Sequence, residues 1–170
     1  MPRKQPEKDY YVDIKERLGK LFKDKGTETY FEITAEGTFS NALKSKVPYG
    51  HEIIFSFLKK KLAPDITGFV KTSISSGFVV VEVKKDKIEL DNLYQLKKYA
   101  DLFEAKFAFL VSLKPIPEEL KRLLGSPILL LSRLKYGSYQ AFVLAHFDEN
   151  KKDFVEWFEE NPFTETIYWK

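Results

Sequence analysis

The stretch Phe78-Val79-Val80-Val81-Glu82-Val83-Lys84 constrains the fold of this chain more than any other segment. Its β-branched centre has no polar face, so it must be a strand covered on both sides within a sheet. Yet it ends on a glutamate and a lysine. Alternation at period two sends Glu82 and Lys84 to one face, while Val79, Val81 and Val83 line the other. Residues 72–77, rich in Ser, Thr and Gly, read as a hairpin loop, and 65–71 as the preceding strand. With the turn around Ile74 and Ser75, antiparallel pairing places Asp65 opposite 82–84, because paired positions keep a constant sum. Two acids and an amine therefore converge. Charged groups in an apolar sheet each carry a desolvation penalty of several kcal/mol unless they are paired or hold a metal.

The rest of the chain supplies layers for that sheet. Residues 1–8 hold two prolines and several charges and are expected to be a flexible basic tail, with the fold starting near Asp9. Tyr11, Ile14, Leu18, Leu21 and Phe22 recur at helical spacing before Gly26. Residues 29–34 read as a strand, and 38–50 show no clear period. Ile53, Ile54, Phe57, Leu58 and Leu62 predict a second helix, stopped by Pro64. Asp91 is the expected N-cap of a helix through Leu93, Leu96, Ala100 and Phe103. A strand at 107–113, a short helix at 117–124, a strand at 128–134, a turn at 136–138 and a strand at 140–146 follow. An amphipathic helix at 152–160 and an aromatic tail close the chain. This order argues for a single α/β domain over 9–170, with a mixed sheet and helices on its faces.

Composition removes several chemistries. The 170 residues contain no Cys, which excludes disulfides, thiolate nucleophiles and cysteine-held metals, so any metal must be bound by carboxylate, carbonyl or imidazole. Charged residues make up 31% and apolar ones 44%, and no apolar run is long enough to span a bilayer. The start lacks the apolar stretch of a secretory signal, so a cytoplasmic protein with no membrane partner is expected. High Lys and Glu with few Cys and Met point toward a thermophilic source. The net charge of +3 does not by itself demand a polyanion, but lysines cluster at 44 and 46, 59–61, 84–87 and 97–98.

Two convergent carboxylates suit Mg²⁺, with Mn²⁺ as a substitute, because hard cations prefer oxygen ligands and bind substrate phosphates alongside retained water. Lys84 would then orient or help deprotonate the attacking water, or neutralise charge developing on the phosphorane. Pro64-Asp65 followed by Glu82-Val83-Lys84 resembles the PD-(D/E)XK nuclease superfamily. Gln95 and Tyr99 resemble the Gln-x-x-x-Tyr element of its RecB-type members, and at i and i+4 they share a helix face. The resemblance covers a catalytic core of about 9–113 and leaves 114–170 as a C-terminal extension.

It implies a restriction-endonuclease-like three-layer fold. It also implies that Asp65, Glu82 and the main-chain carbonyl of Val83 hold the metal while Lys84 serves the water. An acid on the first helix is expected too. Glu16 is the first choice by chain order, although it lies opposite the apolar face; Glu52 is the competitor, and His51 beside it is a further candidate ligand. His146, at the end of a strand, reads as a surface or core histidine.

The expected activity is hydrolysis of DNA phosphodiester bonds in repair, recombination or defence, with endonuclease or exonuclease mode and a branched, single-stranded or other substrate shape left open by the sequence. The likeness is to short archaeal Holliday-junction-resolvase-like members. The alternative is a catalytically silent nucleic-acid-binding or protein-interaction module on the same fold. In the plainest reading, Asp65 opens a turn and Glu82 with Lys84 forms a surface ion pair worth little. Trp157, Phe158, Phe163 and Trp169 read as core, or as the seam of a homodimer, before a base-stacking platform.

Overall fold

The computed structural model describes residues 7–127, 134–135 and 139–169, with backbone alone at 7 and 8. Strands β1 (Glu28–Ile33), β2 (Ile66–Lys71), β3 (Ser76–Lys84), β4 (Phe107–Ser112), β5 (Ala141–Asp148) and β6 (Asp153–Phe158) form one sheet in chain order. The central β3, β4 and β5 are parallel, and the β1–β2, β2–β3 and β5–β6 pairs are antiparallel. Helix α3 (Leu90–Leu102) provides the crossover that the parallel β3–β4 pair requires, and helix α4 (Glu118–Leu124) lies in the connection from β4 to β5.

Both faces of the sheet are covered. Helix α1 (Glu7–Asp24) packs Tyr11, Ile14, Leu18 and Phe22 with Val79, Val81 and Val83, the alternate residues of β3. The opposite face, bearing Val80, Ala108, Leu110 and Leu144, receives Leu93, Leu96 and Ala100 of α3 and Leu120 of α4. The short helix α2 (Asn41–Lys44) adds Leu43 to that layer. The architecture is thus a three-layer α/β fold with a mixed central sheet.

Five expectations change. Residues 53–62 form no second helix: only a 3₁₀ turn, Glu52–Ser56, is present, because Ile54 and Leu58 face the core while Ile53, Phe57 and Leu62 face outward. Residues 152–160 are not helical; Asp153–Phe158 within them make β6. A nine-residue helix is marginal alone, whereas β5 offers an edge of unpaired backbone groups. Asp148 starts the return by accepting the N–H groups of Asn150 and Lys151 at 2.8 and 3.0 Å.

The N-cap of α3 is Glu89 rather than Asp91, and its N–H is bonded by Asn92 Oδ1 at 2.8 Å in a reciprocal capping box. The β2–β3 turn centres on Ser73 and Ile74, one residue earlier than expected, with Thr72 N–H donating to Ser75 O at 2.7 Å. Helix α1 begins at Glu7, inside the expected tail, whose residues 1–6 lie outside the described residues, as do 128–133 of the expected strand and the turn at 136–138.

Candidate active site

Strand β2 starts at Ile66, so β3 runs past its partner and the N–H of Val83 has no strand carbonyl to meet. Asp65 supplies the acceptor: its Oδ2 takes the Val83 N–H at 2.7 Å. Continuing the Ile66–Val81 register by one step sets Asp65 across from Glu82. The turn before it is fixed by Thr34, a buried residue whose hydroxyl bonds Pro64 O at 2.6 Å and Thr67 Oγ1 at 2.8 Å and whose N–H donates to Asp65 O at 2.9 Å. Thr34 had no sequence signal, because threonine is ordinary at a strand end.

Glu82 is 4% exposed. Lys84 Nζ lies 3.0 Å from its Oε1, as same-face alternation along β3 requires. Its Oε2 is buried with no hydrogen-bond partner, and so is the hydroxyl of Tyr99 on α3. Burial, then the charge of Asp65, raises the Glu82 carboxyl to about 8, against the opposing pull of Lys84 and Lys98. The contact with Lys84 has ion-pair distance, yet desolvation outweighs it and the balance favours the protonated carboxyl. Burial also raises the Tyr99 hydroxyl; Gln95 opposes that shift, and the charges of Glu82 and Asp65 add to it. Tyr99 therefore lies within electrostatic reach of both acids.

Asp65, Glu82, Lys84 and Gln95 line a cleft of about 1110 Å³ at the end of β3, whereas Tyr99, expected beside Gln95 in the site, is fully buried and is not among the lining residues. Asp65, Glu82, Val83 and Lys84 form its floor, and Glu89, Asn92 and Gln95 of α3 form one wall. Lys60, Lys61 and Glu36 form another. That wall depends on Gly37, whose φ of +79° closes the turn after β1 and which sits so close to the backbone of Lys59 and Lys60 that a Cβ would approach to 2.4 Å. Lys85, Asp86 and Lys87 complete the rim.

The expected first-helix acid is placed differently. Glu16 is exposed and does not line the cleft; Asp9 does. The two lie on the same stripe of α1, but seven residues separate them by about 10 Å along the axis. The signal for Asp9 was its position at the very start of the helix, where chain direction points it toward the strand ends. Glu52 is exposed on the 3₁₀ turn, away from the cleft lining. His51 bonds Leu102 O at 2.8 Å through Nε2, at the far end of α3 from Gln95. His146 sits half-buried on β5 beside Glu156 of β6 and is not among the cleft residues.

The donor set has the oxygen chemistry that suits a hard cation. A buried carboxylate oxygen without a hydrogen bond is costly unless something positive completes it, and Glu82 Oε2 is such an atom. Among the described residues no three acid or histidine side chains gather tightly enough to enclose an ion alone. Mg²⁺ does not require that, since it retains waters and takes substrate oxygens. Trp157, Phe163 and Trp169 pack around Phe22, Phe107 and Phe109, and Phe158 packs on the opposite core; Phe163 is buried and the other three rings are half-buried. No helix among the described residues is long and apolar enough to cross a membrane. No protein-family model matches the chain, and neither a curated protein nor a solved structure matches it.

Proposed function

We propose that this protein is a Mg²⁺-dependent nuclease that hydrolyses DNA phosphodiester bonds, a restriction-endonuclease-like member of the PD-(D/E)XK superfamily. The observation that carries the reading is the meeting of Asp65 and Glu82 beside Lys84 on the floor of an open cleft, with Glu82 Oε2 lacking a hydrogen bond. Asp65, Glu82 and the main-chain carbonyl of Val83 would hold the ion. Bound there, Mg²⁺ supplies Lewis acidity toward a phosphoryl oxygen and acidifies water.

The chain's own groups account for the remaining needs. Lys84 places a positive charge where negative charge develops and donates a hydrogen bond that orients the attacking water, or as a neutral amine would take up that water's proton. Gln95 and Asn92 offer amides to the substrate from the α3 wall, and Lys60, Lys61, Lys85 and Lys87 attract the phosphate backbone. Asp9 is the acid that α1 contributes to the cleft, in place of Glu16.

The test is incubation with supercoiled, linear, branched and single-stranded DNA in Mg²⁺, Mn²⁺ or EDTA. Cleavage that needs the metal and disappears in Asp65→Ala is the expected result. Tight binding without cuts in any metal would instead leave the silent binding module standing. A homodimer remains a separate proposal, checked by whether the protein elutes from gel filtration at twice its chain mass.

A further inference from the structure

The far end of the sheet carries a second cavity, of about 330 Å³, that shares no lining residue with the cleft. Ser75, Ser76 and Gly77 at the start of β3 form one side, Lys106 before β4 another, and Tyr139 and Ile167 the rest. Ser76 and Lys84 stand at opposite ends of β3, so about 26 Å of strand separates this cavity from the two acids. Its frame is preformed. Thr72 N–H donates to Ser75 O at 2.7 Å and closes the hairpin, and the buried Gln140 donates from Nε2 to Ala105 O at 2.7 Å. Gly77 makes room for the Lys106 stem, because a Cβ at that position would come within 2.8 Å of Lys106 Cβ.

Lys106 is a cation without a counter-charge. It is half-buried, its ammonium donates to the Ser75 hydroxyl, and it joins none of the ion pairs among the described residues. Burial lowers the amine below its ordinary value, and no carboxylate pulls it back. Glu104 lines the same cavity but is exposed and unbonded to it. A partly desolvated ammonium facing open space is completed by an anion.

Charge and walls narrow that anion. A phosphate dianion would bring two charges where the described lining holds one cation, with Glu104 opposing it. A carboxylate brings one charge, and its two oxygens can take hydrogen bonds from an ammonium and a serine hydroxyl together. Tyr139 and Ile167 line the cavity while 71% and 45% exposed, so their apolar surface is uncovered and suits an apolar body attached to the carboxylate. The volume lies at the small end of ligand sites, which run from about 300 Å³ upward.

We propose that this cavity binds a small organic monocarboxylate, with Lys106 taking the carboxylate and Tyr139 and Ile167 holding its apolar body. The site lies outside the nuclease reading and does not depend on it.

The experiment is ligand-observed NMR titration of the full chain in EDTA with phenylacetate, its neutral amide phenylacetamide, and inorganic phosphate, each to about 10 mM, where contacts worth a few kcal/mol are still detected. Phenylacetate is expected to bind at least about tenfold more tightly than either of the others, the scale of one hydrogen bond to a charged group. Lys106→Met removes that preference. Ile167→Asp weakens phenylacetate at least about fivefold at unchanged melting temperature, through lost apolar contact and added repulsion. Lys151→Met, in the turn after β5 at the other end of the sheet, leaves its affinity within about twofold. The native protein offers a readout that needs no variant: phenylacetate should slow the acetylation of Lys106 by N-hydroxysuccinimide acetate, followed by peptide mass spectrometry, and leave that of Lys151 unchanged. No phenylacetate binding, equal binding of acid and amide, or tighter binding of phosphate overturns the proposal. So does an unaltered preference in Lys106→Met, or binding that leaves Lys106 unprotected.

Discussion

Two glutamates near the same end of the sheet live in opposite circumstances. Glu156 on β6 is fully engaged, bonded by the Lys121 ammonium from α4 and by the Ile116 N–H at 3.2 Å. Burial raises its carboxyl, but Lys121 and that N–H more than offset it, and the group ends below its ordinary value. Glu82 on β3 has one oxygen near Lys84, one oxygen with nothing, and a second acid close by. A glutamate with its lysine and N–H in place is a fastening. One left incomplete in a cleft carries an uncompensated cost, and this is the feature on which the proposed metal site rests.

That contrast is broken or sharpened first by activity. Asp65→Ala and Glu82→Ala should each reduce DNA cleavage by at least about a hundredfold in a gel assay, the scale of one lost electrostatic contact to a transition state. Glu156→Gln should leave cleavage within about threefold. Comparable losses in all three would erase the distinction.

The pH dependence of stability comes next. The folded-state value of Glu82 lies near 8, above the ordinary 4.5, so the native state keeps a proton that the unfolded chain has released. The stabilisation is complete below about pH 4.5 and is lost as pH rises toward 8, with a slope of up to about 1.4 kcal/mol per pH unit. Metal-free protein should therefore melt at progressively lower temperature across that window, and Glu82→Gln should flatten the profile. Mg²⁺ should raise the melting temperature of the native protein at pH 8 and leave Glu82→Gln unmoved. A parallel pair of pH profiles would count against an orphaned acid.

Glu156→Gln tests the other half. Losing the Lys121 contact should lower the melting temperature by about 2–4 °C, the shift expected of roughly 1 kcal/mol in a chain of this size. The smallest stability effect belongs to Tyr99→Phe. Its buried hydroxyl has at most a weak contact with Gln95, so removing it should change the melting temperature by less than about 1 °C. A fall in cleavage rate at unchanged stability would then mark the hydroxyl as facing the reaction.

The parts of the fold that were legible are those where local pattern and burial agree. Tyr11, Ile14, Leu18 and Phe22 repeat at helical spacing and are all buried, and Val79, Val81 and Val83 alternate onto the α1 face. The same alternation fixed Glu82 and Lys84 as neighbours. Residues 53–62 misled because their apolar residues divide between core and solvent, which periodicity cannot reveal. Residues 152–160 misled because Phe154, Trp157 and Phe158 satisfy a helical pattern as well as a strand's, and only the open edge of β5 decides between them. The hairpin was placed within one residue, close enough to bring Asp65 to Glu82.

By itself the sequence determined that a β-branched strand ends in a charged pair, that an acid precedes the strand beside it, and that no cysteine chemistry is open to the chain. Those facts are local, following from period-two alternation and side-chain chemistry. Tertiary structure alone decided that Asp9 rather than Glu16 reaches the cleft, that Thr34 pins the Pro64–Asp65 turn, and that Glu82 keeps an oxygen without a hydrogen bond while Glu156 keeps none. Each depends on how far an element extends and what packs across it, quantities set by the whole sheet and written at no single position.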